Sequence, residues 1–149
     1  MISFEKDLAL VEELFEMLFP INRSITGNGV RETLKILDDV VPIKINEIEC
    51  GTNVFDWKIP DEWNINDGWV KNSKGEKIID FKTNNLHILN YSQPVFKKVT
   101  FKELSSHLFT LPSKPDLIPY RTSYYDKKWG FCMSYNNFLS LNKDDIYEV

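Results

Sequence analysis

Between Pro42 and Phe101 the apolar residues come in short runs, VFDWKIP, GWVKNSKGEKIIDF, LHILNY and PVFKKVTF, cut apart by Asn, Asp, Gly and Pro. The runs are aromatic and β-branched, and such side chains suit a pleated, half-buried surface. Short strands at this spacing predict a small antiparallel sheet or sandwich. The clearest turn is Asn72–Gly75, with Trp69-Val70 and Ile78-Ile79 on the arms of a hairpin. Just before these runs, PIKINEIEC alternates Ile43, Lys44 and Ile45, as a half-buried strand does.

Ahead of Pro42 the period is helical. Leu8, Val11, Phe15 and Leu18 recur at helical spacing, with Leu14 and Met17 widening the stripe, while Glu5, Glu12, Glu13 and Glu16 mostly face water. Ser3 is the expected N-cap, and Pro20 ends the helix. Val30, Leu34, Leu37 and Val41 form one face of a second helix, which Pro42 stops by forcing Val41 out of helical geometry. Further on, Thr100 with Glu103 three residues later is a capping box for a short helix. Residues 111–130 hold three prolines and read as extended and irregular. FCMS reads as a short strand, YNNFLSL as a helical turn, and DDIYEV as the start of another strand. The expected class is therefore α+β: two N-terminal helices, a small antiparallel β domain and a mixed C-terminal segment.

Bulk properties narrow the function classes. A chain of 149 residues suits one domain and buries about 70% of its unfolded surface, enough for a core. A net charge of −4 argues against a nucleic-acid or anionic-membrane binder, since both need a basic footprint. Cys50 and Cys132 are too few for a disulfide scaffold or a four-thiolate zinc site, so reduced thiols are expected. The start, MISFEKDLAL, lacks the basic and apolar regions of a signal peptide, and no run reaches the length of a membrane span. A cytoplasmic location is the expectation.

Cys50, Cys132, His87 and His107 are the soft metal ligands, and none lies at zinc-like spacing. His87 is expected on the exposed face of a strand, and His107 on the solvent side of a short helix. Cys132 has no His beside it in sequence, and burial next to Phe131 is the ordinary fate of a free Cys. TGNG lacks a following lysine and follows no strand, so a phosphate loop is not indicated. A loop in which Thr26 or Asn28 caps the second helix, and Gly27 or Gly29 takes a φ that other residues avoid, accounts for it. More unusual is IPYRTSYYDKKWGFC, where Tyr120, Arg121, Tyr124, Tyr125 and Trp129 crowd into ten residues. Aromatics with one Arg and few aliphatics are the composition of a recognition surface, and equally of a stiff loop packing its rings on a sheet.

Taken in order, LFPINRSITGNGVRETL, GTNVFDWKIPDEWNI, KIIDFKTNNLHILNYSQPV, IPYRTSYY and WGFC resemble the N-terminal part of bacterial and archaeal aminopeptidase-like proteins, often linked to polysaccharide biosynthesis. Ile118 stands where that family usually has Leu. The resemblance covers nearly the whole chain and implies the zinc aminopeptidase superfamily. It implies that Arg23, Thr26, Gly27 and Gly29 form a scaffold loop that starts the second helix. Residues 1–50 would hold the helices and first strand of a peptidase-like domain, 51–111 the family's inserted β domain, and 112–149 the return to the peptidase domain. In the full-length family, metal-bound water attacks an amide carbonyl with a Glu as general base. The His-x-Asp motif and the other zinc ligands of that family have no counterpart here. The expectation is thus an incomplete α/β zinc-aminopeptidase fold: a truncated chain, inactive alone, with no catalytic residue, no metal and no cofactor of its own. The competing reading is a binding module in which segment 120–129 recognises a peptide or saccharide. Self-association through the two N-terminal helices is expected in either case.

Overall fold

The computed structural model describes residues 4–124 and 126–149; the expected cap Ser3 lies outside them. It is α+β, with four α-helices and eight short strands among the described residues. Two compact units divide the chain, residues 1–64 and 65–149.

In the first unit, helix α1 spans Phe4–Leu18 and helix α2 spans Asn28–Asp38. On the predicted α1 stripe only Leu14 and Leu18 are half-buried, while Leu8, Val11 and Phe15 are exposed, Phe15 by 68%. The acidic residues of α1 face water as expected. Helix α2 half-buries Val30, Leu34 and Leu37 and buries Thr33. It ends three residues before Val41, which is exposed and not part of the helical face. The N–H groups of Val40 and Val41 both donate to the Leu37 carbonyl, and the Ile43 N–H donates to Asp38 Oδ1 at 2.9 Å. The turn that Pro42 imposes therefore begins earlier than the apolar spacing indicated. The strand expected at Ile43–Ile45 does not form: residues 43–49 run outside any ladder, with Ile45 and Ile48 exposed. Alternation marks a face that could be buried, but a strand also needs a neighbour to accept its hydrogen bonds. Strands β1 (Asn53–Val54) and β2 (Trp57–Lys58) close a small antiparallel hairpin, turning at Phe55 with φ 54°.

The second unit holds the core. Strands β3 (Trp69–Lys71) and β4 (Lys77–Asp80) form the predicted hairpin, pairing Val70 with Ile79. Asn72 Oδ1 accepts the N–H groups of Lys74 and Glu76, and Gly75 takes φ 79°, so the turn chemistry is that read in NSKG. Strand β5 covers Lys98–Thr100, and helix α3 covers Phe101–Ser105. Thr100 Oγ1 caps α3 by accepting the Glu103 N–H, while the Glu103 carboxylate pairs with Lys97. Strands β6 (Leu108–Phe109) and β7 (Phe131–Cys132) pair in parallel. Helix α4 (Tyr135–Leu139) is capped by Ser134, and strand β8 covers Ile146–Glu148. The main sheet runs β4-β3-β8-β5 and is antiparallel throughout. Residues of the expected insertion (51–111) and of the expected return segment (112–149) thus share one sheet, with β8 in its interior. Val70, Ile79, Val99, Leu104 and Tyr147 are buried in this unit. LHILNY is not the strand its composition predicted. Asn85–His87 form a 3-10 turn capped by the Asn84 side chain, followed by isolated bridges Ile88–Phe131 and Asn90–Thr122. Asn84 offers its side chain to the Leu86 N–H, and that local bond competes with a ladder.

Candidate functional site

The glycine loop is held by groups far away in sequence. The N-cap residue of α2 is Gly27, at φ 99°, and not Thr26 or Asn28, so the cap position offers no side chain. Instead Asn64 Oδ1 accepts the Asn28 N–H at 2.7 Å. Thr26 Oγ1 accepts the Trp63 N–H at 3.3 Å. A Cβ on Gly27 would lie 2.3 Å from the Trp63 carbonyl oxygen, and one on Gly29 only 2.0 Å from that of Asn22. Gly27 thus combines an unusual φ with close approach, whereas Gly29 is required by close approach alone. Arg23 Nη1 reaches Thr33 Oγ1 at 3.4 Å, and Thr33 Oγ1 donates to the Gly29 carbonyl at 2.9 Å. An uncharged amide oxygen occupies the start of α2.

Beside this loop lies a charge clamp that sequence reading did not find. Arg31 on α2 grips Glu62 with both terminal nitrogens, at 2.7 and 2.6 Å, while its Nε donates to Glu47 at 2.8 Å. Bidentate geometry of this kind is the strong form of the Arg–carboxylate bond. The Arg31 fork holds the Glu62 carboxyl down to about 2, with Asn64 assisting. A depressed carboxyl contributes stability above its unfolded value and loses it as pH falls. Arg31→Met should therefore lower the urea midpoint near neutral pH, and its deficit should vanish as the pH drops from about 4.5 toward 2. A deficit independent of pH would assign the effect to packing. Partners 16 and 31 residues away leave no local signal.

The aromatic segment divides into two groups. Tyr120 is exposed, and its hydroxyl accepts from Asn90 Nδ2 at 2.9 Å. Asn90 is itself only 3% exposed; its N–H donates to the Arg121 carbonyl, and its carbonyl accepts from the Ser123 N–H and hydroxyl. Tyr91 and Tyr124 both adopt positive φ, 65° and 46°, and their rings stack with centroids 6.0 Å apart. Positive φ is uncommon for bulky residues and costs about 1–3 kcal/mol each, so the surroundings must over-determine it. Arg121 is exposed. Tyr125 lies outside the described residues.

Trp129 makes different partners. Its half-buried ring stacks on His107 at 3.5 Å, with Lys97 Nζ 5.2 Å from its centroid and Phe131 edge-on. His107 does not sit on the solvent side of a helix: its Nδ1 lies 2.9 Å from the Trp129 carbonyl oxygen. His87 is likewise off any strand face, with Nδ1 2.7 Å from the Cys132 carbonyl oxygen. Asn90, Tyr91 and His107 were not singled out for this surface from sequence. A polar Asn inside an apolar run was the one available sign, and it equally fits an ordinary strand.

Cys132 is fully buried beside Phe131, and Cys50 is exposed. Burial pushes the Cys132 thiol up to about 11, against the opposing charge and backbone of Arg121. Only thiolates react readily. At pH 8, Cys50 should therefore react with a disulfide reagent at once and Cys132 only upon unfolding; two fast thiols in native protein would contradict the burial. No group of three or more His, Cys, Asp or Glu that could hold a metal ion occurs among the described residues. No helix among the described residues is long and apolar enough to cross a membrane.

Comparison with known proteins places these features. The chain is 55% identical over 139 residues to a Clostridium acetobutylicum protein provisionally named as a polysaccharide biosynthesis protein with aminopeptidase-like domain. That match takes in 93% of this chain and 32% of the relative. A crystal structure of a provisionally assigned peptidase from the same organism superposes with a TM-score of 0.89 at 53% identity, over 95% of this chain and 33% of that one. The chain spans about a third of the length of these relatives. Residues 62–149 match the family described as a domain of unknown function (DUF2172), and the chain belongs to that family.

Proposed function

We propose that this chain is a non-catalytic part of an aminopeptidase-like hydrolase, and that it recognises a ligand through Tyr120, Arg121 and Tyr124. The observation that carries the second half is the pair of stacked tyrosines at positive φ, braced by buried Asn90. Such strain gathers where a surface is preorganised for a partner. Arg23, Thr26, Gly27 and Gly29 serve the scaffold in this reading, since Arg23 meets Thr33, Thr26 meets Trp63 and both glycines abut backbone. Trp129 supports the fold through His107. The first half draws on the similarity to a third of each relative and on the lack of a metal-ligand group among the described residues.

Aminoacyl-nitroanilides incubated with the chain and added zinc should release no product above the buffer rate. Release that scales with protein concentration would overturn the non-catalytic half. For recognition, NMR titrations with trialanine and with a cello-oligosaccharide should show one of them saturating the amides around Tyr120–Tyr124. Tyr124→Ala should weaken that binding about tenfold. Saturation by neither, or binding indifferent to both Tyr124→Ala and Arg121→Ala, would sink the recognition half.

Self-association belongs to the same proposal. Leu8, Val11 and Phe15 on α1, with Phe19 just beyond it, expose apolar surface of a kind that soluble monomers rarely leave open in one patch. A second copy would cover it. Light scattering should give a mass that rises with concentration, and Phe15→Glu should abolish the rise. A constant monomer mass without binding of a hydrophobic dye would end the idea.

A further inference from the structure

The open face of the main sheet carries a row of charges at the start of a cleft. Glu148 on β8 is in register with Lys71 on β3 and with Lys98 on β5. Residues in register across neighbouring strands share a face, and adjacent residues along a strand point oppositely. Lys71, Glu148 and Lys98 therefore lie on the face away from buried Val70, Val99 and Tyr147. A cleft of about 310 Å³ opens there, lined by these three with Asn72, Ser73 and Ile146.

Opposite charges directly across strands ordinarily close into pairs. Here they do not. Lys71 Nζ lies over the Trp69 ring, 4.1 Å from its centroid. Among the described residues neither Lys71 nor Lys98 forms an ion pair. Asp145, the other carboxylate near the hairpin tip, accepts the Ser73 N–H at 3.3 Å. The cleft is thus lined by two lysines and one glutamate. We infer that this cleft is a site for a small anion, a carboxylate or a phosphate monoester, bound between Lys71 and Lys98. Its volume falls at the low end of small-molecule sites, so it suits a small ligand built around the charged group. Glu148 then acts against the ligand, so it sets the affinity by repulsion rather than by contact.

That sign separates a binding site from a plain charge ladder. The probes are inorganic phosphate and acetate, titrated at constant ionic strength into isotope-labelled chain, with chloride as the control. Saturable shifts are expected at the amides of Ser73, Lys98 and Glu148. Lys98→Ala and Lys71→Ala should each weaken binding about tenfold, and Glu148→Gln should tighten it about threefold or more. Lys82→Ala, which removes a lysine paired with Asp67, should change nothing. Tighter phosphate assigns a phosphate monoester, and tighter acetate a carboxylate. Shifts that never saturate, that chloride reproduces, or that weaken in Glu148→Gln while its melting temperature holds would overturn the site.

Discussion

Replacing Gly29 by alanine should destabilise the first unit by about 3 kcal/mol or more, the range of severe overpacking. The reason is steric and local. A Cβ at this position would sit 2.0 Å from the backbone oxygen of Asn22 and 3.0 Å from its carbonyl carbon. Backbone cannot rotate away as a side chain can, so either α2 must shift or residues 22–23 must. Both moves disturb what the loop holds: the Arg23–Thr33 contact and the Asn64 cap on Asn28. Gly75→Ala is the calibrating control. Its φ of 79° is unfavourable for alanine, unlike the helical backbone at Gly29, yet nothing lies within 4 Å of the added Cβ. Left-handed backbone alone costs about 1–2 kcal/mol. Urea unfolding followed by the NMR signals of α2 for Gly29→Ala, and of β3 and β4 for Gly75→Ala, should show the first loss clearly exceeding the second. Equal losses would mean that residues 22–23 yield to the added Cβ and that close approach costs no more than left-handed backbone.

Features that depend on a few neighbouring residues were legible in the sequence. The hairpin at Asn72–Gly75, the Thr100 cap, the position of α1 and the strands FC and IYE all follow from patterns within a handful of residues. Failures fall where a distant group decides. Asn64 caps α2 from 36 residues away, so nothing near Thr26 or Asn28 could announce it. PIKINEIEC has a strand's alternation but pairs with no strand among the described residues, and the Asn84 cap diverts LHILNY. The aromatic segment was visible as composition only. That Tyr120 rests on Asn90, that Tyr124 stacks on Tyr91 and that Trp129 turns to His107 are products of tertiary packing, because each partner sits 22 to 33 residues away. Arg31 shows the same limit for charge: its spacing to Glu47 and Glu62 matches no helical or strand period.

Leu104→Ala should cost about 2–5 kcal/mol, the loss expected for a leucine removed from a filled core. Leu104 has no exposed surface, and it lies on α3, a five-residue helix. So short a helix has little stability of its own and depends on what it packs against. Its Thr100 cap follows directly from β5, and α3 packs on both β5 and β8. Truncating Leu104 thus removes the anchor that joins the helix to the sheet interior, and the amides of Val99 and Tyr147 should lose protection from hydrogen exchange. Leu104→Met conserves volume and should cost less than about 1.5 kcal/mol. The useful contrast is Phe15→Ala, which deletes a larger side chain that is 68% exposed. Little apolar surface leaves water there, so the change should stay within about 0.5 kcal/mol in dilute monomer. A Phe15→Ala loss that rivals Leu104→Ala under those conditions would mean that α1 is buried in solution and that its apolar stripe already has a partner. A small loss at Leu104 would instead show that the sheet, and not α3, carries the stability of residues 65–149.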